Sequence, residues 1–223
     1  MFNSELLIKR FDNIIKCVYF GYQKMHKEDS NKVFNIVFKK LKLEMIDLFN
    51  NVNFLDEMDV ENTHYDDGIY VMPIDSIDNF ISCSPYFSTI VISIKNRKIE
   101  WGMIFFPALS LQVVFNGYKV FYNIYEIQGY PPLYLNEGVL NGIDFMVNKE
   151  YFKYLNINTI ITRNSQSVLL MLLMNKFKSG IITKQLHAIL NRLIEVMLQY
   201  SNGIEYKKEG NYFIVKKDDR KKA

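Results

Sequence analysis

Cysteine is scarce in this sequence: Cys17 and Cys83 are the two in 223 residues, far apart and without paired spacing. That pattern excludes a disulfide framework and a cysteine-rich zinc motif, and it fits buried thiols in a reducing compartment. Histidine is also rare, and His26, His64 and His187 show no metal-ligand spacing. Net charge is close to nil, at +3, which leaves no electrostatic case for nucleic acid or an anionic membrane surface. Long apolar runs are missing. The longest, Val168 to Met174, is too short to cross a bilayer. No basic-then-apolar leader opens the chain. P-loop and dinucleotide-binding glycine patterns are not there, and neither is a Ser-His-Asp spacing. Internal repeats and linker-like segments are lacking. The expectation from these absences is a cytoplasmic protein without a membrane span.

What is present is core-forming material. Hydrophobic residues make up 49% and aromatics 15%, so the chain can bury a sizeable core and is not disordered. The length suits one domain or two small lobes sharing a sheet system. The expected organisation is a single domain over 1–215 and a solvated basic tail over 216–223, where Lys216, Lys217, Arg220, Lys221 and Lys222 collect.

Periodicity places the elements. Glu5 to Tyr22 carries Leu6, Leu7, Phe11, Ile14, Ile15 and Val18 at helical spacing, and Asn31 to Phe49 does the same with Val33, Phe34, Ile36, Val37, Leu41, Met45 and Leu48. The acidic stretch Asp56 to Asp67 reads as loop, without calcium-loop spacing. From Ile69 to Met72 a short buried strand runs into Pro73. Ser88–Lys95 and Ile99–Phe106 read as strands about a turn at Asn96-Arg97-Lys98. Leu111–Phe115 and Lys119–Tyr125 extend the sheet about Asn116-Gly117. Pro131-Pro132 breaks the chain, and Gly142–Val147 reads as a further strand. Ser165–Phe177 and Lys184–Tyr200 are helical patterns, the second closed by Asn202-Gly203 as a left-handed cap. Ile204–Tyr206 and Tyr212–Val215 finish as strands. Helices, then strands, then mixed elements predict a layered α/β arrangement.

Met72-Pro73-Ile74-Asp75-Ser76-Ile77-Asp78-Asn79-Phe80 resembles the D-P-I-D-G-T-x-N-F signature of the inositol monophosphatase family. Further anchors follow in order. Phe54-Leu55-Asp56-Glu57-Met58 resembles F-I-G-E-E, and Ser84-Pro85-Tyr86-Phe87-Ser88 resembles the family's passage into a strand. Gly102 and Pro107 fall where the family has G-V-V-Y-D-P. Asn164-Ser165, Ser179-Gly180 and Ser201-Asn202-Gly203 fit Gly-Ser, Asp-Gly and Ala-Gly-Gly without a gap. The resemblance spans roughly Phe54 to Tyr206. It implies a layered αβαβα sandwich of the inositol monophosphatase type, with Met72 to Ser76 at a strand-to-helix junction near Glu57 and Leu190.

The resemblance also implies where a two-magnesium phosphatase centre would lie. Magnesium in such a site activates a water and holds the phosphate and leaving oxygen. It takes hard oxygen ligands in octahedral geometry. Carried over position by position, the ligands would be Glu57, the Ile74 carbonyl and Asp75. The bridging aspartate falls on Met72, whose thioether does not replace a carboxylate for magnesium. The far-side aspartate falls on Leu190. Ser76 and Ile77 take the phosphate-side Gly-Thr, and Ile77 lacks the hydroxyl that would orient the water. Plainer roles stand beside these. Asp75 suits a cap for the short helix from Ser76, and Glu57 a solvated place in an acidic loop. His187 suits a structural histidine or one facing the old site, and Arg163 an ordinary ion-pair arginine or a phosphate contact.

The expected function is accordingly an inositol-monophosphatase-like protein that is catalytically inactive and acts by binding or regulation, with no cofactor. Some bacterial relatives resemble this use, acting through contacts with the transcription machinery. The alternative is a weak Mg²⁺-dependent phosphomonoester hydrolase on inositol or sugar phosphates. The resemblance implies a homodimer, to which Ser88–Phe106 is expected to contribute, and leaves room for a protein partner.

Overall fold

Alternation along the central strands produces a sheet with apolar cover on both faces. The computed structural model describes residues 4–25, 28–49, 51–55, 65–84, 86–124, 166, 169, 173, 179–183 and 187–218. Two helices open the chain, α1 (Ser4–Met25) and α2 (Ser30–Leu48). The next elements are β1 (Val52–Phe54), β2 (Gly68–Asp75), the short helix α3 (Ile77–Ile81), β3 (Ser88–Lys95) and β4 (Lys98–Phe106). A 3₁₀ turn at Pro107–Leu109 leads to β5 (Leu111–Phe115) and β6 (Val120–Ile124). Then come β7 (Ser179–Thr183), α4 (Ala188–Tyr200), β8 (Ile204–Glu209) and β9 (Tyr212–Lys217).

Six strands form one sheet in the order β1-β2-β3-β4-β5-β6, with β1 and β2 parallel and the rest antiparallel. Period-two alternation sends Val91, Met103, Phe105 and Val114 to one face, where Val33, Val37, Leu41 and Met45 of α2 and Ile14, Ile15 and Val18 of α1 cover them. It sends Ile90, Ile92, Ile104, Phe106 and Val113 to the other, against Ile189, Leu190, Leu193 and Ile194 of α4. Fully burying each such side chain contributes about 1.5–3 kcal/mol. Between the helical layers, α1 approaches α2 at Gly21, where an added Cβ would lie 2.8 Å from Val37 Cγ2.

A second sheet, β7-β9-β8, is antiparallel throughout. Its Ile182, Phe213 and Val215 join the cluster around α4, and α4 touches β4 and β5 on one side and β8 on the other. The described residues thus stack helix, sheet, helix and sheet in the expected order. Gln166, Leu169 and Leu173 are helical, at positions inside the helix predicted for Ser165–Phe177. No helix among the described residues is long and apolar enough to cross a membrane.

Several boundaries differ from the sequence reading. The turn between β3 and β4 has two residues, Asn96 and Arg97, both at positive φ (51° and 58°), the mirror-image turn that matches strand twist. Asp67 accepts from the Arg97 N–H at 3.2 Å and pins it. Helix α4 starts at Ala188, because His187 is its extended N-cap, so His187 is not a helical residue. Ser201 caps the other end in an extended conformation. The left-handed residue, Gly203 at φ 73°, belongs to the turn beyond. Strand β9 takes in Lys216 and Lys217, which were expected in the tail, and Lys216 pairs with Glu205 at 2.9 Å. The segment Ser88–Phe106, expected at a dimer contact, is β3 and β4. These are inner strands paired on both edges; they are buried on both faces over most of their length and exposed at the hairpin end, Lys95 to Glu100. The predicted strand Gly142–Val147 and the break at Pro131-Pro132 lie outside the described residues.

Candidate functional site

The residues at the end of β2 build the site. Met72 pairs with Ile90 and Asp75 with Ser88, so Pro73 and Ile74 oppose the single residue Thr89 in a bulge. Proline suits a bulge because it has no N–H to offer the ladder. The Thr89 hydroxyl donates to the Pro73 carbonyl at 2.8 Å. After the bulge, Asp75 is 8% exposed, and the Ser88 hydroxyl donates to its Oδ2 at 3.4 Å.

Ser76 turns the chain. Its φ of 65° and ψ of 64° are left-handed, a conformation that costs an L-residue about 1–2 kcal/mol and that glycine takes freely. This is the position where the resemblance puts the family's glycine. Ser76 is also the N-cap of α3 and makes no side-chain capping bond, so Asp75 stands one residue before the cap. The Ser76 carbonyl accepts from the N–H groups of Asn79 and Phe80 at 3.0 and 3.2 Å. Asn79, buried, donates from Nδ2 to the Tyr86 carbonyl at 2.7 Å and ties α3 to the approach of β3. Phe80 meets Phe87 edge-on with ring centroids 5.0 Å apart.

The other predicted site residues divide between the two cores. Met72 packs against the cluster that contains Leu190, itself 2% exposed. Ile74 and Ile77 belong to the opposite cluster, beneath α1 and α2. His187 is buried at the N-terminus of α4, and its carbonyl accepts from the Leu190 N–H at 3.1 Å. Glu57, Arg163, His26 and His64 lie outside the described residues.

Three solved structures share this architecture. Inositol monophosphatase II from Staphylococcus aureus MSSA476 superposes with a TM-score of 0.53 at 15% identity, over 95% of this chain and 88% of that one. CysQ from Bacteroides thetaiotaomicron, a bacterial member of the inositol monophosphatase family, gives 0.52 at 13%, over 97% and 98%. The Thermotoga maritima inositol monophosphatase gives 0.51 at 14%, over 98% and 93%. The fold is that of the inositol monophosphatases. No family model matches the sequence, and no curated protein matches it either.

Within this inositol monophosphatase fold, the described residues can be tested for magnesium. Of the positions that the resemblance assigns to metal, they supply one carboxylate, Asp75, and the Ile74 carbonyl. Met72 and Leu190 supply packed carbon and sulfur in an apolar cluster. No group of three or more His, Cys, Asp or Glu side chains able to hold a metal occurs among the described residues. By themselves these described residues fall short of the several hard oxygens that a two-magnesium centre needs at each ion; Glu57 lies outside them. What the site does hold is a buried carboxylate with a hydroxyl donor beside a strained turn. The Ser88 and Thr89 contacts were missed from sequence, because they depend on the register between β2 and β3. The left-handed turn at Ser76 was missed as well, although the family's glycine at that position could have signalled it.

Proposed function

We propose that this chain is a catalytically inactive inositol-monophosphatase-like protein that acts in the cytoplasm by binding, in a regulatory role. The supporting observation is the packing of Met72 and Leu190 in one apolar cluster, at the positions where the resemblance puts the bridging and far-side carboxylates. A thioether and an isobutyl group offer magnesium no hard oxygen. Ile77 brings no hydroxyl to orient a water, and its side chain packs with the core beneath α1 and α2. The staphylococcal relative has been solved with inositol monophosphate and with 2'-AMP bound, and these compounds head the test panel. The chain is expected to release no phosphate above background from a broad phosphomonoester panel with millimolar Mg²⁺ or Mn²⁺.

Asp75, buried with the Ser88 hydroxyl on its carboxylate, favours a second reading. In it the chain is a weak Mg²⁺-dependent hydrolase of inositol or sugar phosphates, with Ser76 and Ile77 beside the phosphate. Metal-dependent turnover that disappears in Asp75→Ala would establish that reading and overturn the first. The proposal includes a homodimer, on the resemblance alone. Sedimentation at micromolar concentration tests it, and a strict monomer removes it.

A further inference from the structure

Helices α1 and α2 each bury one face on the six-stranded sheet, and among the described side chains their outer face carries four exposed large apolar residues. Along α2, Ile36, Leu43 and Ile46 are 40%, 54% and 50% exposed. Spacings of seven and three residues put them on one stripe of the helix. Phe20 of α1, 39% exposed, lines an open groove together with Leu43, Lys16, Lys40 and Glu44. Isolated exposed apolar side chains are ordinary, whereas a contiguous set with a polar rim marks a contact surface.

Charge selects the occupant. The described side chains of α1 and α2 include six lysines (Lys16, Lys24, Lys32, Lys39, Lys40 and Lys42) against two acids, Glu44 and Asp47; Glu28, between the helices, pairs with Lys24 at 3.0 Å and leaves the excess on the other five. Lys40 Nζ stands 4.8 Å and Lys24 Nζ 5.8 Å from the Phe20 ring centroid, so two cations flank the aromatic ring of the groove. Glu44 is engaged by the Asn13 amide at 3.2 Å.

We infer that the outer face of the α1–α2 hairpin docks an acidic amphipathic helix of a partner protein. Its apolar side chains enter between Phe20 and Leu43, and its carboxylates meet Lys16 and Lys40, the helix-in-groove mode of recognition. A second copy of the chain fits less well, because a two-fold contact would set lysines against lysines. An anionic membrane fits less well because the apolar side chains line a groove between two helices, a shape that a helix enters and a flat lipid surface does not. The inference is independent of whether the chain hydrolyses phosphate, since this face points away from the sheet that carries Asp75.

The test is a display screen of helical peptides of about 18 residues, five turns. All share an apolar i, i+3, i+4, i+7 stripe, with the remaining positions drawn from Glu and Lys. The expected result with the full chain is enrichment of Glu-rich peptides. The best of these, made synthetically, should bind with micromolar Kd and weaken as salt rises. Lys16→Glu with Lys40→Glu should weaken it at least tenfold, and Leu43→Ser similarly, while Lys207→Glu on the second sheet leaves it unchanged. Enrichment of Lys-rich or neutral peptides overturns the inference, as does affinity that survives both groove changes in variants of wild-type circular dichroism. Sedimentation showing a dimer that Leu43→Ser dissolves, without peptide binding, assigns the face to a second copy. Binding to phosphatidylserine vesicles through the same residues, without peptide binding, assigns it to a membrane. Either result also overturns the inference.

Discussion

Gly102 of β4 and Leu193 of α4 meet so closely that a Cβ added at Gly102 would overlap the Leu193 Cδ1 methyl. This contact seats α4 on the sheet and explains the glycine at that anchor by space alone. Gly102→Ala should cost about 1–3 kcal/mol by overpacking. Leu193→Ala alone should cost about 2–5 kcal/mol by leaving a cavity. The double variant should cost less than the two together, because the new methyl fills part of the vacated space. Urea denaturation of all three measures this, and additive costs within about 0.5 kcal/mol would count against direct contact.

Ser76 holds a left-handed backbone at φ 65°. Ser76→Gly should therefore be neutral or stabilising by up to about 1 kcal/mol, since relieved strain outweighs the extra freedom of unfolded glycine. Ser76→Val should lose about 1–2 kcal/mol, because a β-branched side chain tolerates this region poorly. Thermal unfolding of the pair checks the sign, and a stabilising valine would contradict the backbone assignment.

Met72→Asp and Leu190→Asp should each destabilise the fold by about 1–3 kcal/mol, since each puts a carboxyl group among apolar neighbours. The loss should be smaller at pH 4 than at pH 7, because burial raises the carboxyl pKa and its neutral form is the one tolerated. The combined variant Met72→Asp, Leu190→Asp, Ile77→Thr and Ser76→Gly should recover part of the loss when Mg²⁺ is added, by preferential binding to the folded state. Calorimetric titration reads the metal directly. A combined variant indifferent to Mg²⁺ would disprove the alignment of these positions with a former metal site.

Alkaline pH should weaken the protein through two weak acids, Tyr86, which is buried, and Cys17, which like Cys83 is half-buried and not the fully buried thiol expected from sequence. Burial, the main cause, drives the Cys17 thiol from 9.0 to about 11, with Lys40 opposing and Glu44 assisting. Burial likewise drives the Tyr86 phenol from 10.0 to about 12. Both pKa values are raised, so the unfolded chain releases these protons first as pH climbs. Their contribution is complete below pH 9 for Cys17 and below pH 10 for Tyr86, and is lost as pH passes through the folded values. Cys17→Ala should flatten stability between pH 9 and about 11, and Tyr86→Phe between pH 10 and about 12. Urea midpoints across this range decide the matter, and slopes identical to wild type in both variants would refute it.

Long periodic segments were legible from composition and spacing alone. Leu6 to Val18 and Val33 to Met45 specify amphipathic helices because their apolar residues fall on one face whatever the chain packs against. Ser88 to Phe106 specifies a hairpin because alternation and a turn are local properties. The chemistry of Met72, Ile77 and Leu190 as side chains without hard oxygen was equally fixed by residue type. Three features needed the folded molecule. Strands β1 and β7, of three and five residues, are too short to show a period, and they exist because β2 and β9 supply their hydrogen bonds. The start of α4 at Ala188 depends on His187 being extended and buried. The Ser88 hydroxyl reaches Asp75 only because a bulge at Pro73-Ile74 shifts the register of β2 against β3. Each of these rests on pairing between residues distant in the chain, whose free energy comes from the partner and leaves no trace in the local pattern.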